Sequence, residues 1–201
     1  MNVLSLADLQ QEALRCAACP LAQSRTQVVF GTGDPNARLM FVGEAPGRDE
    51  DLIGEPFVGR SGALLDRLIA EELQLDRSSL YIANVVKCRP PGNRDPRPEE
   101  VAACSRYLRV QVDVVAPEVI VTLGNFATRA LLERTEGITR LRGTAYRFAG
   151  RWLVPTFHPA AALRGGGETV AKMRADLVRA ALLLDGTGVT PNPASLPAGR
   201  P

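Results

Sequence analysis

Lysine is nearly missing from this chain: of 24 basic residues, only Lys87 and Lys172 are not arginine. The positive surface is therefore almost wholly guanidinium, which grips phosphate oxygens through two parallel bonds. Codon bias in a GC-rich genome accounts for such a ratio, but not for the gathering of Arg134, Arg140, Arg142, Arg147 and Arg151 around few acids. Histidine occurs once, as His158. No run approaches the roughly 18 apolar residues that a membrane span needs. Residues 1–15 lack the basic start and apolar block of an export signal. The expectation is a cytoplasmic protein with no membrane partner.

What is present suits one globular unit. With 201 residues, 45% hydrophobic and 23% charged, the chain has length and apolar content for one core. A single domain is expected over 1–185. The tail 186–201, with four prolines and three glycines, is expected to be flexible. The net charge of +2 hides an asymmetry, since residues 1–100 carry 11 basic and 15 acidic side chains. The excess of positive charge therefore sits in the second half, where it suits a phosphate-binding face.

Four short apolar runs bounded by turn residues read as strands, at 38–43, 80–86, 118–123 and 152–157. Helical patterns lie between them. Ser61 is placed to cap a helix whose Leu64, Leu65, Leu68 and Ile69 share a face. Pro98 suits a first turn ahead of Val101, Cys104, Leu108 and Val115, and Asn125 is placed to cap a shorter helix. Val170, Met173, Leu177 and Leu184 repeat at helical spacing near the end, and 4–15 is a weaker amphipathic segment. Such alternation builds a largely parallel sheet covered by helices on both faces, with functional loops at the carboxyl ends of its strands.

Four cysteines are spaced Cys16-x2-Cys19 and Cys88-x15-Cys104. Disulfides rank last in a reducing cytosol. A tetrahedral zinc site and a [4Fe-4S] cluster each take four thiolates, and spacing alone does not separate them. Cys104 also lies on the apolar stripe of its helix, as core filler would, but Cys16, Cys19 and Cys88 fall in loops.

After the first strand come Gly43-Glu44-Ala45-Pro46-Gly47 and then Glu55-Pro56-Phe57-Val58-Gly59-Arg60-Ser61-Gly62. Glycines and proline just after a strand make a tight turn that approaches a ligand closely. An aromatic between two such turns is placed to stack on a planar base. Asn84 lies within a strand run, where asparagine is disfavoured unless its amide is bonded. His158 stands at a strand's carboxyl end, in Phe157-His158-Pro159-Ala160-Ala161.

Taken together and in this order, GEAPG, EPFVGRSG, YIANVVKCRPPGNRDPRPEE, TLGNFA and FHPAAALR, with the four cysteines, closely resemble family four of the uracil-DNA glycosylases, the iron-sulfur class. The likeness runs from about residue 16 to 184. It implies a three-layer α/β/α sandwich around a mostly parallel four-stranded sheet, and a monomeric enzyme that hydrolyses the N-glycosidic bond of uracil in DNA. It also implies that Cys16, Cys19, Cys88 and Cys104 hold a structural [4Fe-4S] cluster. Asn84 would read the extruded uracil, Phe57 would stack on it, and His158 would bond its O2. Gly43, Glu44, Ala45 and Gly47 would form the pocket wall.

In the first glycosylase family an aspartate activates water where this chain has Ala45, so Glu44 and Glu50 are the candidates here. Ser61, Leu163 and Arg164 are the candidate DNA contacts, with Leu163 as the wedge that fills the vacancy. Relatives that trap uracil-DNA covalently carry a reactive histidine in an inserted loop after the Asn84 region. Residues 91–96 contain none, which favours turnover over trapping. A non-turnover uracil-DNA binding protein and a zinc-bearing nucleic-acid module are the remaining alternatives.

Overall fold

The computed structural model describes residues 5–187. The expected tail falls almost entirely outside them. Every residue of β2 (Leu39–Gly43) and β4 (Val119–Leu123) is buried, as expected of strands covered on both faces. With β3 (Tyr81–Asn84) and β6 (Arg151–Thr156) they form a parallel core in the order β3-β2-β4-β6. The sheet has six strands where the sequence suggested four. β1 (Thr32–Gly33) adds antiparallel to β3, and β5 (Tyr146–Phe148) adds antiparallel to β6. These edge strands are two and three residues long, too short to show a period.

Side chains leave the sheet alternately to two cores. Met40, Val42, Tyr81, Ala83 and Ile120 meet α1 (Leu6–Leu14) and α4 (Pro98–Val115) through Leu9, Ala13, Tyr107, Leu108 and Val112. Leu39, Phe41, Ile82, Val119 and Val121 meet α3 (Arg60–Leu73) and α7 (Pro159–Leu184) through Leu65, Leu68, Met173, Leu177 and Ala180. The result is the three-layer arrangement. Two shorter helices, α2 (Arg48–Ile53) and α5 (Gly124–Leu132), follow β2 and β4, and α6 (Ile138–Leu141) precedes β5. No described helix is long and apolar enough to cross a membrane.

Two caps differ from expectation. Gly59 is the N-cap of α3, leaving Ser61 inside the first turn. Asn125 lies inside α5 and instead accepts from the first backbone N–H of α6, Ile138, at 2.6 Å. Its reach across the 132–137 connection fixes the start of a helix thirteen residues on. The arginines of the second half are also partly engaged. Arg142 pairs with Asp176, Arg134 with Glu136, and Arg147 lies 3.5 Å over the Trp152 ring. They do not form one free phosphate-binding face.

Candidate active site and four-cysteine centre

Because β2, β3, β4 and β6 are parallel, their carboxyl ends share one edge of the sheet, where ligands of open α/β sheets bind. A cleft of about 1190 Å³ opens there. It is lined by Glu44, Ala45 and Gly47 after β2, Asn84 at the end of β3, Asn125 and Arg129 of α5, and His158 after β6, with Phe57, Ser61 and Arg164 beside them. Gly43, Phe57, Asn84 and His158 thus meet, although 115 residues separate the first and last in sequence.

Gly43 makes that meeting sterically possible. A Cβ there would stand 2.4 Å from Asn84 Oδ1 and 2.6 Å from Phe57 Cζ, so glycine lets the Asn84 amide and the Phe57 ring close on the strand end. Gly62 does the same one layer away, since its Cβ would fall 1.8 Å from the carbonyl oxygen of Phe57. Phe57 itself adopts φ 54°, an uncommon conformation for a bulky residue and one that persists only when surroundings enforce it. Its ring centroid lies 5.7 Å from that of His158, tilted 32°. Asn84 Oδ1 is buried with no hydrogen-bond partner. An orphaned buried acceptor costs stability unless a ligand satisfies it.

His158 is the N-cap of α7, and its Nδ1 accepts from Ala160 N at 3.1 Å. That bond leaves the ring proton on Nε2, the free donor. Burial, and then Arg164, push the imidazole down to about 4, so the ring is neutral at physiological pH. Glu44 moves the other way. Burial, and then Asp95, raise its carboxyl to about 7, in the range where a general base works best.

Glu50 also lines the cleft. Its carboxylate accepts from the backbone N–H of Gly47, Val58 and Gly59 at 3.1, 3.1 and 3.2 Å, tying the loop after β2 to the start of α3. These three bonds clamp the pocket wall, and Oε2, which takes only one of them, keeps a free acceptor site. Leu163 is 44% exposed on the first turns of α7, beyond the lining. The helix breaks at Gly166 (φ 68°, ψ −159°), so 159–165 forms a short arm ahead of the long helix.

The four cysteines come together on the other side of β3. All are free, and all line one small cavity with Arg25, Lys87 and Tyr107. Arg25 Nη1 donates to Cys88 Sγ at 3.3 Å and to the Cys16 carbonyl at 2.8 Å, and Lys87 N donates to Cys104 Sγ at 3.3 Å. Burial raises the thiol of Cys88 and pushes that of Cys104 up to about 11. Among the described residues no three His, Cys, Asp or Glu side chains are grouped to hold a metal ion. The thiols ring a cavity instead of meeting at one point. Four thiols around a shared void, with N–H donors aimed at sulfur, are a donor set that a four-thiolate metal centre could use.

Lys87, Gln111 and Arg25 carried no weight in the sequence reading. The signal for Lys87 was available: a lysine in the apolar stretch Ala83-Asn84-Val85-Val86-Lys87-Cys88, in a chain that otherwise uses arginine.

Parallel strands with a cleft at their carboxyl edge define an open α/β fold whose ligand site lies at the strand ends. Residues 30–182 match the uracil DNA glycosylase superfamily, and the chain belongs to it. It is 47% identical over 167 residues to the type-4 uracil-DNA glycosylase of Sulfurisphaera tokodaii, covering 79% of this chain and 76% of that one. It is 46% identical to the type-4 enzyme of Thermotoga maritima, over 82% of this chain and 86% of that one. It is 47% identical to that of Archaeoglobus fulgidus, over 79% and 83%.

Proposed function

We propose that this protein is a type-4 uracil-DNA glycosylase: it extrudes uracil from DNA, hydrolyses the bond between N1 and C1′, and releases free uracil with an abasic site left behind. The observation that carries the reading is the unpartnered Oδ1 of Asn84, buried at the end of β3 against Phe57. Uracil offers N3–H to that acceptor and O4 to the amide's N–H, whereas cytosine presents the opposite pattern and leaves both unpaired.

Phe57 stacks on the extruded ring, and Gly43, Ala45 and Gly47 let the wall approach it. As the glycosidic bond breaks, its electron pair goes to uracil and positive charge grows on the sugar. The neutral His158 donates from Nε2 to O2 where the negative charge develops, and the N-terminus of α7 adds a favourable dipole. Glu44 takes a proton from the water whose oxygen joins C1′. Arg164 contacts phosphate, Ser61 the strand entering the cleft, and Leu163 fills the vacated stack.

Cys16, Cys19, Cys88 and Cys104 hold a [4Fe-4S] cluster, which staples distant segments and supplies no step of the hydrolysis. The test pairs a labelled oligonucleotide carrying one uracil, treated with alkali after incubation, with iron analysis. Strand cleavage at the uracil and a brown protein with about four irons per chain are expected. Absence of cleavage overturns the activity, and zinc in place of iron overturns the cluster.

A further inference from the structure

Lys87 lies wholly inside the protein, 1% exposed. Its Nζ donates to the backbone carbonyl of Asn84 at 2.7 Å and to Gln111 Oε1 at 2.6 Å. Gln111 is itself locked, because its Nε2 donates to the Phe30 carbonyl at 2.8 Å and to the Tyr81 hydroxyl at 3.1 Å. Every polar atom of this network has a partner, yet none is anionic. Among the described residues Lys87 takes part in no ion pair. The Phe30 ring, 5.9 Å from Nζ, offers only weak compensation.

With no counter-charge among the described residues, the position of this buried lysine is set by hydrogen-bond geometry, and its two acceptors fix where Nζ sits. The backbone of the same residue donates to Cys104 Sγ, and the next residue is Cys88. Lys87 also lines the cavity that the four cysteines share, so one residue joins the end of β3 to the cysteine centre.

We infer that Lys87 is a positioning residue that couples the four-cysteine centre to uracil recognition: the centre fixes the Lys87 backbone through Cys104 and the adjoining Cys88, and the Lys87 side chain holds the Asn84 backbone so that its amide meets the base. This rests on the roles proposed above for Asn84 and the cysteines. It gives a centre remote from the reacting bond a direct line to selectivity. An arginine is poorly suited, because its planar fork is larger than the compact ammonium that two acceptors hold here.

The test uses iron-loaded wild type, Lys87→Met and Gln111→Met. The first readout is the ratio of affinities for single strands carrying uncleavable 2′-fluoro-deoxyuridine or 2′-fluoro-deoxycytidine. The second is the half-life of the visible iron-sulfur absorbance under an iron chelator. Lys87→Met is expected to lower the ratio at least tenfold and the half-life at least threefold, while affinity for uracil-free strands stays within twofold. A merely structural role would not move base selectivity apart from general DNA affinity. Gln111→Met is expected to shift both readouts in the same direction by smaller factors.

A change in one readout with the other at its wild-type value overturns the coupling. If Lys87→Met does not accumulate as folded, iron-bearing protein, Gln111→Met decides: a fall in both readouts supports the coupling, and any other result overturns it. A wild type that lacks iron or uracil selectivity overturns the proposed function, and the coupling with it. A selective, iron-bearing wild type with unaffected variants overturns the coupling alone.

Discussion

His158 and Glu44 are shifted in opposite directions by the same cause, burial at the strand ends, and the two shifts assign their tasks. A neutral imidazole whose Nδ1 is already an acceptor has only Nε2–H to offer, which suits the proposed donor to uracil O2 and not a base. His158→Ala should lower kcat about 10²–10³-fold, the usual cost of one donor to a developing oxyanion, while affinity for uncleavable uracil-DNA changes less than threefold; equal losses in both would make it a binding residue. Glu44 must be ionised to take a proton from water. Since its carboxyl is raised to about 7, kcat/KM should rise with pH through about 7, and His158, neutral above about 4, should add no second limb there. Glu44→Gln should remove the rise and cost less than His158→Ala. A rise that survives in Glu44→Gln would assign it to another group.

At the scale of elements, the strands were legible because parallel, doubly covered strands are written as unbroken apolar runs, and β2 and β4 lie within a residue of the expected spans. The helical faces were legible for the same reason of period: Leu64, Leu65, Leu68 and Ile69 are all buried. Edge strands and caps were not, because they depend on partners far along the chain. Asn125 looks like a local cap until α6 folds back onto it, and Glu50 looks like a free acid until Val58 and Gly59 turn their N–H groups to it. The Gly166 break in α7 belongs to the same class and has a consequence for DNA. It sets the arm 159–165, with Leu163 exposed at 44%, apart from the packed remainder of the helix. A wedge matters only where a stack must be filled. Leu163→Ala should therefore lower activity on duplex uracil about tenfold and leave single-strand activity within twofold. Equal losses on both substrates would remove the wedge role.

Across the whole molecule, the two helical layers are closed by different means. The α3/α7 layer is locked by Asp176, fully buried, which accepts from Arg142 Nε and Nη2, Gly143 N and Thr156 Oγ1 at 2.8–3.1 Å. Removing one partner of a buried pair strands the other, so Asp176→Ala should cost about 3–5 kcal/mol in denaturant unfolding; a loss below 1 kcal/mol would mean that Arg142 finds water instead. The α1/α4 layer has buried polar ties of its own at α4, where Gln111 bonds Phe30 and Tyr81 and Glu100 accepts from Arg94 and Arg97, but α1 shares in none of them. α1 is nine residues long, too short to persist alone, and it buries only Leu9 and Ala13, with an Arg106–Glu12 pair at the surface. On the proposed function, a cluster held by the four cysteines would tie its end to β3 and α4, since Cys16 and Cys19 follow α1, Cys88 follows β3 and Cys104 lies on α4. Cys19→Ser should therefore lose iron and loosen one layer selectively. Amide exchange within α1 should accelerate at least tenfold while amides near Met173 and Leu177 stay within twofold. Uniform acceleration across both layers would mean that the centre stabilises the domain as a whole and not the α1 layer in particular.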